Sequence, residues 1–140
     1  MVDYKKMNVS EAKFVGARNH VEIEGVAVAP MIDSNSNDPM HDQFSFWLYD
    51  KTGIIGVQLY REQNQLYGSE LMKTMSPEEA FGTLENLIQA SSQSRIPMIV
   101  KGVTYGARSI DHTNGPDDIG YVLMHLLEFD GRKIQFTEKY

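Results

Sequence analysis

The residues of this sequence best suited to chemistry are aromatic: Trp47, Tyr49 and Tyr60, carried in the stretch FSFWLYDKTGIIGVQLY over residues 44–60. A flat ring left outside a sheet is a surface on which another flat group stacks, and a nucleobase gains roughly 1–3 kcal/mol from such a contact. Alternation along a strand decides which residues share a face. Phe44, Phe46 and Leu48 fall on one side and Ser45, Trp47 and Tyr49 on the other. In the second run Ile55, Val57 and Leu59 oppose Gly56, Gln58 and Tyr60. If the aliphatic faces enter a core together, Trp47, Tyr49, Gln58 and Tyr60 stand outside it, around backbone that Gly56 leaves open. Aromatic residues also favour strands for packing alone, so the pattern equally suits a face laid beneath a helix or another chain.

Other chemistries find little support. His41 and Asp42 follow Asp38, and Asp111-His112 precede Asp117-Asp118, but neither group has the spacing of a known metal site. Nothing pairs a nucleophile with a base or two carboxylates at a defined separation, and the glycines punctuate strands and turns rather than cluster before a helix. The expectation is a protein that is not an enzyme, with no metal and no cofactor.

The elements that position the aromatic residues must fit one domain, since 140 residues bury a single respectable core. Hydrophobic content of 41% against 23% charged residues is enough apolar material for that core, so the chain is expected to fold. No run approaches the roughly 20 apolar residues of a membrane span, and MVDYKKMNVSEAKF has no apolar signal core, which points to the cytoplasm and no membrane partner. The absence of cysteine removes disulfides and thiol chemistry. A net charge of -6 argues against a protein that coats nucleic acid by bulk electrostatics. Any such contact has to be local.

Residues 1–18, polar and mixed in charge, are read as a flexible N-terminal arm, and residues 19–140 as the folded domain. HVEIEGVAVAP, residues 20–30, is a strand bent at Gly25. A polar loop over 31–43 precedes the two aromatic strands, which Asp50-Lys51-Thr52-Gly53 joins by turn chemistry. Ser76, Pro77, Glu78 and Glu79 then form a helix start with a capping box, and Ala80, Phe81, Leu84, Leu87 and Ile88 recur at helical spacing up to the Ser91-Ser92 pair. IPMIVKGVTYGA, residues 96–107, is a strand. A second polar loop follows, then the strand YVLMHLLEF and a turn at Asp130-Gly131 into RKIQF.

The order of strand, long loop, strand, tight turn, strand, helix, strand, long loop, strand is that of an all-β protein with one helix. It resembles the OB-fold, a five-stranded Greek-key barrel with its helix between strands three and four. VEIEGVAVAP, FWLYDKTGIIGVQLY and IVKGVTYG also resemble strands of nucleic-acid-binding members of that family. The resemblance implies that a single nucleic-acid strand, DNA ahead of RNA, crosses the second and third strands with little sequence preference, gripped by the loops 31–43 and 107–119. On that reading Trp47, Tyr49, Gln58 and Tyr60 form the face and Tyr67 and Tyr105 are further stacking candidates. Lys51, Arg61, Lys101 and Arg108 would meet phosphates, although each taken singly is an ordinary solvated charge. The chain closes on RKIQFTEKY without a long acidic tail. In this it resembles stand-alone binders of phage or conjugative elements, which serve replication, recombination or DNA transfer. Such binders imply a homo-oligomer, here through the N-terminal arm. The competing reading is a protein-interaction module that uses the same aromatic face and binds no nucleic acid, which the acidic charge favours.

Overall fold

Strand alternation writes the wall of the molecule, and two helices pack against it. A computed structural model describes residues 3–33, 43–60, 69–106 and 119–136. In chain order they form β1 (Lys5–Lys6), α1 (Val9–Phe14), β2 (His20–Asp33), β3 (Gln43–Asp50) and β4 (Gly53–Tyr60). A 3-10 turn (Glu70–Lys73), α2 (Pro77–Ser94), β5 (Met98–Gly106), β6 (Ile119–Phe129) and β7 (Arg132–Gln135) complete them.

Strands β2 to β6 close on themselves in the order β2-β3-β4-β6-β5, with β5 pairing back to β2. Within this wall β4 and β6 run parallel and the other neighbours antiparallel. This is the five-stranded OB-fold barrel, with α2 between its third and fourth strands. Closure requires β2 to serve two partners. Its first half, through Gly25, pairs with β5, and its second half, from Val26, pairs with β3. Gly25 is the corner residue because a β-carbon there would lie 2.6 Å from the Tyr49 carbonyl oxygen. At Gly102 the approach is closer still, 2.1 Å from the Leu123 carbonyl oxygen, beside a bulge where β5 slips against β6.

The aliphatic faces point inward as alternation requires. Val21, Ile23, Phe46, Leu48, Ile55, Val57, Val100 and Met124 are buried in one core with the inner face of α2, Ala80, Phe81, Leu84 and Ile88. Ser91 fastens that helix to the wall, accepting from the Ala27 N–H at 3.2 Å while its hydroxyl donates to the Ile96 carbonyl at 2.8 Å. At the helix start Ser76 accepts from the Glu79 N–H, and its own hydroxyl donates to the Glu79 carboxylate. The helix runs past the Ser91-Ser92 pair to Ser94 and ends on Arg95 in the left-handed conformation.

The segment read as an arm carries structure of its own. Lys5 and Lys6 pair parallel with Val21 and Glu22, and Asn8 opens α1 with a full capping box to Glu11. Val9 and Ala12, one turn apart on the helix, are fully buried against the barrel. So short a helix shows no apolar period, since it buries only Val9 and Ala12 and leaves its third apolar residue, Phe14, exposed. Among the described residues no helix is long and apolar enough to cross a membrane.

Candidate functional site

The hairpin β3–β4 places its aromatic residues by register. Trp47 lies opposite Gly56 and is 44% exposed, while Tyr49 lies opposite Ile54 and is 50% exposed. On the far side of β3, Val28 pairs with Trp47 and Val26 with Tyr49, and Val28 and Ile54 are also exposed. Gln58 is half-buried opposite Ser45. The outer face of β3 and β4 is therefore apolar and aromatic around a residue without a side chain.

The row does not stop at β4. Gly56 pairs in parallel with Tyr121 of β6, and Tyr121 pairs with Tyr105 of β5. The two tyrosine rings are stacked, with centroids 5.4 Å apart and planes 7° from parallel, and the Arg18 guanidinium sits 4.9 Å from the centre of the Tyr105 ring. One line of residues, Val28, Trp47, Gly56, Tyr121 and Tyr105, thus crosses five adjacent strands and ends beneath a cation.

The turn of the hairpin is held from the N-terminal segment. Asp50 Oδ2 accepts from the Val9 N–H at 2.9 Å, Asp50 Oδ1 accepts from the Thr52 N–H at 2.7 Å and from the Thr52 hydroxyl, and Thr52 Oγ1 accepts from the Ser10 N–H at 3.0 Å. Burial works against the ionised form of Asp50. The Thr52 hydroxyl and the N–H groups of Val9, Thr52 and Gly53 outweigh it and hold the carboxyl below the usual carboxylate range. The first N–H groups of α1, which have no partner within the helix, are satisfied in this way by the turn that presents Lys51 to solvent.

Of the residues singled out from sequence, Trp47, Tyr49, Lys51, Gln58 and Tyr105 lie along this face or at its edge. Tyr60 pairs with Gln43 at the end of the hairpin. Arg61, Tyr67, Arg108 and most of the two long loops lie outside the described residues. Lys101 stands apart from the row, on β5 four residues before Tyr105. Its ammonium is 3.5 Å from the Glu22 carboxylate and 5.9 Å from the centre of the Tyr4 ring. Near it Tyr4 meets the rings of His20 and His125 edge-to-face, the two histidine rings are tilted against each other, and the Tyr4 hydroxyl is 3.0 Å from His125 Nδ1.

Sequence reasoning missed Tyr121 and Arg18. Tyr121 stands near the start of a strand that is buried on both faces from Val122 to His125, so alternation gives no sign of which side it takes. Arg18 belongs in sequence to the polar N-terminal segment, and only the pairing of β2 with β5 brings it to Tyr105.

The wall and its outer row define the class: an OB-fold barrel with an aromatic outer face. Two solved structures of asparaginyl-tRNA synthetase from Pyrococcus horikoshii are similar to the chain. One is 14% identical at a TM-score of 0.49, over 99% of this chain and 25% of that one. The other, complexed with asparaginyl-adenylate, is 14% identical at a TM-score of 0.48, over 100% and 24%. The chain spans about a quarter of the length of these structures. No family model and no curated protein matches it.

Proposed function

We propose that this barrel binds single-stranded nucleic acid, DNA before RNA, by stacking bases on its outer aromatic row with little preference for sequence. The observation that carries the reading is the exposure of Trp47 opposite Gly56, in register with Tyr121 and Tyr105. A chain gains nothing in stability from leaving so large an apolar ring in water, whereas every base has a π-face to offer it. Lys51 and Arg18 supply positive charge at the two ends of the face, local enough to act within a chain of net charge -6. Tyr60, Arg61, Tyr67 and Arg108 belong to the proposed interface on sequence grounds, and Lys101 reaches a phosphate only by leaving Glu22.

On the same reading the protein serves replication, recombination or transfer of a mobile element. Self-association along the strand then uses Phe14, which is 80% exposed at the end of α1, because Val9 and Ala12 face the protein's own core.

The test is fluorescence anisotropy with labelled oligo(dT) and oligo(rU) at low and moderate salt, with Trp47→Ala as control. Affinity that falls with salt and is lost in the folded variant supports the reading. Absence of binding by the wild type at low salt refutes it and leaves the apolar patch of Val28, Trp47, Tyr49 and Ile54 as a protein-binding surface.

A further inference from the structure

The turn that carries Arg18 is tied down at every residue. The Asn19 side-chain amide donates to the carbonyls of Val15, Gly16 and Ala17 at 3.0, 3.1 and 3.3 Å. Thr104, fully buried on β5, donates its hydroxyl to the Gly16 carbonyl at 2.7 Å, and its oxygen accepts from the Asn19 N–H at 3.0 Å. The backbone completes the clamp, with the Arg18 N–H on the Thr104 carbonyl at 2.7 Å and the Thr104 N–H on the Asn19 carbonyl at 2.9 Å. Arg18 itself is held at a φ of 67°, a left-handed conformation that an arginine adopts at a cost, and its side chain is exposed. All of this fixes the backbone from which the Arg18 guanidinium reaches over the ring of the residue that follows Thr104.

We infer that Arg18 with the Tyr105–Tyr121 pair is a second subsite of the same face, one that takes a nucleotide further along a strand whose base lies on Trp47. This rests on the nucleic-acid reading and deepens it. The tyrosine pair offers aromatic surface to the base. The guanidinium, planar and weakly hydrated, carries five donors that can meet a phosphate while its central carbon stays over the Tyr105 ring. Because the backbone of the turn is already fixed, only the Arg18 side chain is left to order there when the ligand arrives. Trp47, Gly56, Tyr121 and Tyr105 sit on four adjacent strands, so the two ends of the site are three strand spacings apart, roughly 14 Å. Engaging both requires an oligonucleotide that crosses the strands, not a mononucleotide.

The experiment compares wild type, Arg18→Asn and Tyr121→Ala for binding to labelled oligo(dT) of about 16 nucleotides, the upper end of an OB-fold's site, across a salt series. Asparagine accepts the left-handed backbone, so Arg18→Asn removes the charge without strain. It is expected to flatten the slope of log K against log salt by about 0.7, the value for one phosphate contact on a single strand. Tyr121→Ala, with its fold checked by circular dichroism, is expected to weaken binding by about 5- to 150-fold. A wild type that binds, alongside an Arg18→Asn variant of unchanged affinity and unchanged slope, overturns the subsite and leaves the Trp47 face standing. A wild type that does not bind at low salt overturns both.

Discussion

Trp47 on β3 and Tyr121 on β6 flank the same residue, Gly56 on β4, and stand on one outer face of the barrel although 74 residues of sequence separate them. The parallel pairing of β4 with β6, which the closed wall requires, is what joins them. A face that reads in sequence as one hairpin is in the folded chain a band across the barrel.

Trp47 is 44% exposed and lies outside the barrel core, so Trp47→Ala should cost no more than about 1 kcal/mol of stability, the scale of a cross-strand contact. Its affinity for oligo(dT) should fall by the roughly 1–3 kcal/mol of one stacked base. Urea unfolding and anisotropy on one preparation separate the two effects. A large loss of stability would mean that Trp47 packs rather than binds.

Asp50 links pH to the docking of the N-terminal segment. Its carboxyl is held below the ordinary value of 3.8 in the folded state, so its ionised form contributes stability that is fully present above that value. The contribution is lost as pH falls through the depressed folded value. Asp50→Asn should therefore lower stability at neutral pH, where the Asp50 carboxyl is ionised. The gap between variant and wild type in urea midpoint should close on acidification. A gap that stays constant down to the acid transition would contradict the assignment.

Removal of residues 1–18 should destabilise the barrel rather than only disperse an oligomer. Val9 and Ala12 are fully buried, and Met7 and Val15 pack against the same core, so the loss should be on the order of 3 kcal/mol or more. Urea unfolding of the truncated chain measures it. A deletion that unfolds at the wild-type midpoint would show that the segment lies loosely on the surface. For self-association the sharper variant is Phe14→Ser, which changes a side chain that is 80% exposed and should lower the mass in solution if Phe14 joins subunits.

Two glycines should respond to alanine with opposite signs. At Gly102 a β-carbon meets the Leu123 carbonyl oxygen at 2.1 Å, and backbone cannot move aside cheaply, so Gly102→Ala should cost about 1–3 kcal/mol or more. At Gly82, inside α2, nothing lies within 4 Å, and Gly82→Ala should stabilise by about 0.5–1 kcal/mol through helix propensity. Thermal unfolding of the pair checks both.

Much of the barrel is legible in the sequence because its signals are local. The alternation through Phe46, Leu48, Ile55 and Val57, the cap at Ser76-Pro77 and the corner at Gly25 each lie within a few residues of what they specify. The helix at Val9–Phe14 carries a local signal too, in Asn8 and Glu11 three apart, but six residues with two of them buried are too few for periodicity to register. The site was legible only where it is a hairpin. Trp47 and Tyr49 follow from parity, whereas Tyr121 and Arg18 depend on which distant strands become neighbours, and no local pattern encodes that. Lys101 shows the converse: its position on the outer face follows from alternation, but its pairing with Glu22 comes from the closure of β5 on β2.

Trp47 is the only tryptophan in the chain, so the centre of the proposed site carries its own reporter. The most direct measurement is intrinsic fluorescence during titration with unlabelled oligo(dT) at low salt, repeated at moderate salt. Stacking of a base on Trp47 predicts saturable quenching with an apparent affinity that weakens as salt rises. An emission unchanged in intensity and wavelength, under conditions where anisotropy reports a bound oligonucleotide, would contradict the account and move binding to another face of the barrel.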